Sequence, residues 1–243
     1  MKNKGFTLAE VLITLGIIGV VAALTLPSLI ANYKKQTYVT QLKKAYSTWN
    51  EGIKLMLATD GVDYINDTEF AKTVLDSGQT VFDGNATSSV PAAVGILRKY
   101  IKIINTEDSS TGRTFKNLGN SSTYTTGSNY EKLYLADGAV CYVRISYLDR
   151  TTNDNFNNGS MFIDINGEKG PNIRGRDVFY FYIDKTGLLI PCNAEQTKEL
   201  WNYTYWKDNP QLCGTEGSSQ IASDVTGEGC AARIMENGWV MDY

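Results

Sequence analysis

Histidine is absent from all 243 residues, which removes the commonest general base and the commonest zinc ligand together. No charge sign is in large excess either. The formal net charge is −3, and no basic stripe appears beyond the pairs Lys34-Lys35 and Lys43-Lys44, which argues against a nucleic-acid binder. Those lysines read as a solvated helix face near a membrane surface. Cysteine is sparse: four residues, none in a Cys-x-x-Cys spacing, so a zinc cluster is poorly supported. No nucleophile–base pair and no internal repeat stands out, and the chain does not read as an enzyme.

What the sequence does have is concentrated at its start. A short basic leader, Lys2-Asn3-Lys4, ends at Gly5, and an apolar run extends from Phe6 to Ala31. The run exceeds the roughly 20 apolar residues that span a bilayer as a helix. Its one ionisable side chain is Glu10. An unpaired carboxylate in that setting costs on the order of several kcal/mol, so Glu10 needs a partner. A secretory signal peptide would have a shorter core and a clean cleavage site, whereas Ala22-Ala23 runs on into more apolar sequence and Pro27. A plain signal anchor explains the length and Lys2/Lys4 but leaves Glu10 without a reason.

Gly5-Phe6-Thr7-Leu8-Ala9-Glu10 closely resembles the processing site of type IV pilins and type II secretion pseudopilins. The resemblance implies that a prepilin peptidase/N-methyltransferase cuts between Gly5 and Phe6 and methylates the new Phe6 amine. It implies further that Glu10 pairs with the Phe6 ammonium of a neighbouring subunit during assembly, which removes the desolvation problem. Pro27 sits where that family commonly loosens the helix. Ala9 departs from the bulkier Leu or Ile usual there, without touching the chemistry. The implied partners are other pilin or pseudopilin subunits, an inner-membrane platform protein, an assembly ATPase and membrane lipid. The implied location is the bacterial inner membrane, single-pass, with the C-terminal domain extracytoplasmic until the subunit is drawn into a pilus or pseudopilus. The alternative is a binding or sensing module tethered by a plain signal anchor.

The expected organisation is a leader at residues 1–5, a transmembrane helix at 6–31, an amphipathic stalk helix at 32–59 and an extracytoplasmic domain at 60–243. Gly16, Gly19, Ala22 and Ala23 are small enough to let membrane helices approach closely. In the stalk, Val39, Leu42, Tyr46, Trp49, Ile53 and Met56 recur at spacings of three and four, one helix face that must pack on the body of the domain. Asp60-Gly61 marks the stop. Asp67 is placed to cap a short helix over 69–75, and Pro91 to open another in which Val94, Leu97, Ile101 and Ile104 share a face. Residues 105–129, rich in Ser, Thr, Asn and Gly, read as a surface loop with room for a short hairpin.

The second half turns to strands: 132–135 and 140–147 around Asp137-Gly138, then 160–165, 177–183 and 188–192. The fold class is therefore α+β, a long N-terminal helix, transmembrane then amphipathic, packed on an antiparallel β-sheet in a pilin-like arrangement. Trp201, Tyr203, Tyr205 and Trp206 read as cover for a sheet face or a loop core in preference to a carbohydrate or partner platform. Residues 231–238 suggest a short terminal helix, after which Trp239, Val240 and Met241 tuck back onto the core.

One connection resembles a site. Asp164, Asn166 and Glu168 alternate as oxygen ligands do in calcium loops, and Asp177 could close the set. The spacing is not that of an EF-hand, Lys169, Arg174 and Arg176 compete with a cation, and the ligands of calcium-binding pseudopilins do not match here residue by residue. The favoured reading is a turn with no cofactor, Pro171 fixing its path; calcium is the lesser alternative. Four cysteines allow three pairings. An oxidising compartment favours disulfides. The resemblance favours Cys213 with Cys230, closing a C-terminal loop like the one many pilins staple, and Cys141 with Cys192 would then join two strands.

Overall fold

The computed structural model describes residues 5, 7–79, 81–82, 90–108, 112–120, 122–126, 130–146, 148, 159–192, 195–196, 201–202, 208–215 and 221–243. The chain divides into two compact units, Met1–Thr37 and Tyr38–Tyr243, and one helix, α1 (Leu8–Asp60), runs through both. In the N-terminal unit α1 is long and apolar enough to cross a membrane, and none of that span is buried: Leu12, Ile13, Leu15, Ile17, Ile18 and Val20 all stand exposed. The hydroxyls of the span are satisfied within the helix. Thr14, Thr25 and Ser28 donate to the carbonyls of Glu10, Val21 and Thr25 at 2.9, 2.9 and 3.0 Å. Pro27 lies inside the helix without ending it, although its missing N–H removes one rung of the hydrogen-bond ladder.

In the C-terminal unit α1 becomes amphipathic. Val39, Leu42, Trp49, Ile53 and Met56 are buried and Tyr46 packs against the same core, as their spacing requires. Two polar contacts fix the helix over the sheet's far end. The Trp49 indole N–H donates to the Gly187 carbonyl at 3.0 Å, and the Leu189 N–H donates to Asn50 Oδ1 at 2.9 Å. A Cβ on Gly52 would come within 2.4 Å of Ile101 Cγ1, so only glycine admits that close a crossing. The helix ends at Asp60, and Gly61 turns the chain with φ +66°.

The sheet contains β1 (Ile103–Asp108), β4 (Glu131–Leu135), β5 (Val140–Ile145), β6 (Gly159–Asp164), β7 (Val178–Ile183) and β8 (Leu189–Pro191), in that spatial order and antiparallel throughout. Side chains alternate between its faces. Leu133, Cys141, Val143, Met161, Ile163, Phe179 and Phe181 share a core with the buried face of α1. Val140, Tyr142, Phe162 and Val178 point the other way into a second, aromatic core. There they meet Phe115 from a small hairpin of β2 (Thr114–Lys116) and β3 (Thr123–Thr125), and Phe162 stacks on Tyr180 at 4.4 Å. Both faces of the sheet are thus covered.

The details correct several expectations. Thr68, not Asp67, caps α2 (Glu69–Asp76): its hydroxyl accepts the Ala71 N–H at 3.2 Å, while Asp67 closes a preceding helical turn. Helix α3 (Val90–Tyr100) stops short of Ile104, which is 68% exposed. Residue 104 instead sits at a bulge in β1, between Ile103 and Asn105, in a stretch whose polar composition reads as loop. An edge strand is held by backbone pairing to one neighbour, and such pairing leaves little trace in side-chain pattern. Val240 does not tuck in; it is 54% exposed, while Met241 and Tyr243 are buried. Of the aromatic cluster, Tyr203, Tyr205 and Trp206 and the side chain of Trp201 lie outside the described residues.

Cys213 and Cys230 form a disulfide, with Cα atoms 4.9 Å apart across a separation of 17 residues. A loop of that size contributes roughly 3 kcal/mol in the chain-entropy account. Cys141 and Cys192 are buried and stand outside any disulfide, so the second expected pair does not form. Cys141 lies on β5 and Cys192 just past β8, with β6 and β7 between. Three strand spacings come to roughly 14 Å, about twice the Cα separation a disulfide tolerates. Alkylation of the unfolded, unreduced chain is therefore expected to label two cysteines, Cys141 and Cys192, and peptide mapping after labelling checks it. Labelling of all four, or of none, contradicts this assignment.

The C-terminal helix, Cys230–Glu236, is organised by one guanidinium. Arg233 is fully buried and clasps Asp242 with two bonds, Nε to Oδ1 at 2.8 Å and Nη2 to Oδ2 at 2.9 Å. Its Nη1 donates to the carbonyls of Cys213 and Thr215 at 2.8 and 3.2 Å, and its plane lies 5.0 Å from the Tyr243 ring centre. The Tyr243 hydroxyl in turn donates to the Gly175 carbonyl at 2.6 Å. One side chain thereby ties together the disulfide, the last helix and the C-terminus.

Candidate functional site

Two segments carry the chemistry singled out from the sequence. In the first, Thr7 and Glu10 form a reciprocal cap on α1. The Thr7 N–H and hydroxyl each donate to Glu10 Oε2 at 2.8 Å, and the Glu10 N–H donates to Thr7 Oγ1 at 3.3 Å. This is a capping box, which Thr-x-x-Glu ahead of an apolar run signals and which the sequence reading passed over in favour of Glu10's charge. A carboxylate in the first turn also faces the positive end of the helix dipole. Gly5 is exposed, and a Cβ there would meet nothing within 4 Å. The chain's own packing places no demand for glycine at that position, so any such demand comes from whatever reads the segment. Phe6 lies outside the described residues.

The second segment joins β6 to β7. Asp164 and Asp177 are fully buried at its two ends. Asp177 is saturated with donors: the Asn172 N–H at 2.8 Å, the Ile173 N–H at 2.7 Å and Asn166 Nδ2 at 3.3 Å. Burial pushes its pKa above the usual carboxylate range, and those N–H groups pull against the shift. Neither oxygen of Asp164 has a hydrogen-bond partner. Burial first, and Asp177 second, push the Asp164 pKa up to about 8. The Asn166 N–H is near enough to hold that shift down slightly, though not in hydrogen-bonding geometry.

The four residues proposed from sequence as calcium ligands are thus not one set. Glu168 is exposed and committed to Lys132, at 2.7 Å, and to the Tyr134 hydroxyl, at 3.3 Å. Asp177 shapes the turn. Both Asp164 oxygens and Asn166 Oδ1 have no hydrogen-bond partner, and Asn172, which the spacing does not pick out, has a fourth such oxygen. Arg174 does not crowd them. It is buried, donates to Asn117 Oδ1 at 3.0 Å and to Glu228, and stacks 4.4 Å from the Tyr124 ring centre. Among the described residues no three carboxylate, thiol or imidazole side chains assemble as a metal site.

A prepilin-type N-terminus, an apolar helix of membrane-spanning length and an α+β body with an antiparallel sheet define a type IV pilin-like protein. The first of these rests on a match of residues 1–26 to the prokaryotic N-terminal methylation motif. The chain belongs to a family of unknown function, DUF6613, whose model matches residues 28–243. Comparison with curated proteins and with solved structures finds no match.

Proposed function

We propose that the chain is a structural subunit, a pilin or pseudopilin, of a type IV pilus or type II secretion pseudopilus. The observation that carries this reading is the methylation motif at residues 1–26 together with the apolar run Phe6–Ala31, whose one carboxylate is Glu10. Cleavage after Gly5 creates an amine at Phe6, and methylation leaves it cationic. Lys2 and Lys4 hold the leader on the cytoplasmic side, and residues 38–243 lie across the membrane. During assembly the Glu10 carboxylate leaves its own cap to meet the Phe6 ammonium of a neighbour. A platform protein and an ATPase draw the subunits out of the inner membrane. The role is mechanical and calls for no catalytic group.

The reading is tested at the N-terminus. Mass spectrometry of the protein purified from its native membrane is expected to find N-methylated Phe6. An intact Met1, or a cut after Ala23, would sink the proposal in favour of an anchor or signal peptide. Glu10→Ala is expected to leave processing intact and abolish incorporation into filaments, read as sheared filament yield against total processed subunit.

A further inference from the structure

Among the described residues of the C-terminal unit, four large apolar side chains stand exposed: Leu55, Tyr64, Ile104 and Val240. Leu55, 56% exposed, lines an open groove of about 560 Å³ along α1. Lys44 and Glu51 belong to the same helix face, and Tyr100, Lys102 and Asp137 complete the lining. Lys44, Glu51 and Lys102 are exposed and form no ion pair among the described residues. Tyr64 stands elsewhere, in the loop after α1, beside the exposed Asp63. The Lys185 ammonium lies 5.1 Å from its ring centre, and the Ile65 N–H donates to the Lys185 carbonyl at 3.1 Å, which holds the loop on the β7–β8 turn.

The groove and the loop flank α1 on opposite sides. On one side Gly52 lets Ile101 approach, next to Tyr100 and Lys102 at the entry to β1; on the other Asn50 holds Leu189 of β8. The sheet order puts β1 and β8 at its two margins. The places also differ lengthwise. At 1.5 Å per residue, the end of α1 at Asp60 lies roughly 8 Å beyond Leu55 and roughly 24 Å beyond Lys44. A patch that fits a different patch on a second copy makes a head-to-tail contact, which propagates as a filament unless its rotation closes a ring. The groove bears two charges of each sign around an apolar centre, and the loop region presents one of each sign around a tyrosine.

We propose that the groove of one copy receives the loop after α1 of a second copy, head to tail. Tyr64 of the second copy covers Leu55 and Tyr100, its Asp63 meets Lys44 and Lys102, and its Lys185 meets Glu51 and Asp137. Opposite charges across such a contact fix its register, and like charges brought together penalise every other alignment. The neighbour is displaced along α1, so the contact cannot close on itself as a two-fold dimer would. This interface rests on the filament reading above and adds to it the surface by which one body recognises the next.

The test uses the full chain in its native cells, with filaments sheared and the N-terminus of the subunit read by mass spectrometry. Lys102→Glu and Asp63→Lys each reverse an exposed charge that makes no bond within the described residues, so both variants should fold and be processed as the wild type is. Each alone is expected to lower filament yield about tenfold against processed subunit, and the two together to restore it to within about twofold. Leu55→Cys combined with Tyr64→Cys should give a ladder of disulfide-linked multimers on non-reducing electrophoresis of filaments, and neither single variant should give any. No ladder, or no rescue by the paired reversal, overturns the interface. Dimers from either single variant overturn its head-to-tail sense. N-methylated Phe6 in every variant makes such failures fall on the interface alone, whereas its absence from the wild type would fall on the filament reading.

Discussion

Arg233→Met is expected to destabilise the folded protein by roughly 3 kcal/mol, because two carbonyls lose a charged donor and the half-buried Asp242 loses its counter-charge. The loss is not that of a surface bridge, because Arg233 is fully buried and makes four hydrogen bonds that nothing else replaces. Methionine keeps much of the volume and leaves Asp242 and two carbonyls without their donor. Denaturant unfolding checks the magnitude, and its pH dependence checks the cause. Burial would raise the Asp242 pKa, but the hydrogen bonds and charge of Arg233 outweigh it and hold the group below its ordinary value. A carboxylate lowered on folding contributes stability that is present above its unfolded pKa, near 4, and is lost as pH falls through the folded one. The gap between wild type and variant should therefore be widest at neutral pH and shrink below about pH 4. A pH-independent gap would mean that lost packing, not the ion pair, accounts for the effect.

Trp49→Ala is expected to cost a similar roughly 3–5 kcal/mol, the usual penalty for emptying a large aromatic from a core. Trp49 is fully buried, and its indole N–H holds the carbonyl of Gly187 in the turn between β7 and β8. Trp49→Phe separates the two contributions: it keeps most of the ring contact and removes only the hydrogen bond, so about 1 kcal/mol should remain lost. Chemical denaturation of both variants measures the difference. Equal losses in the two would show that the indole N–H, not the filled volume, dominates.

The parts of this fold that were legible in sequence are those with a period. The buried face of α1 and the meander from β4 to β8 follow from spacings of three and four and from alternation, because both record burial against one core. What could not be read lacks that record. Strand β1 is polar at Asn105, Thr106, Glu107 and Asp108, and only its pairing with β4 makes it a strand. Cys141 and Cys192 each sit in a strand-rich stretch, yet their pairing depends on sheet order, which alternation does not specify. Among the residues whose alternation suggested oxygen ligands is Glu168, whose partner in the fold, Lys132, lies thirty-six residues away. Arg233 carries no local signal at all; its burial follows from Asp242 and the cysteine staple closing over it.

The two margins of the sheet have a consequence for how copies of this chain can join. One margin is β1, interrupted by the bulge at Ile104 and carrying the exposed Glu107; the other is β8, three residues long and closed by Pro191, which has no N–H. Bulges, acidic side chains and proline are the features by which sheets resist lateral extension. Neither margin is a template for a neighbour's backbone. In a filament of the proposed kind, neighbouring bodies would meet through side chains and not through a sheet shared between copies.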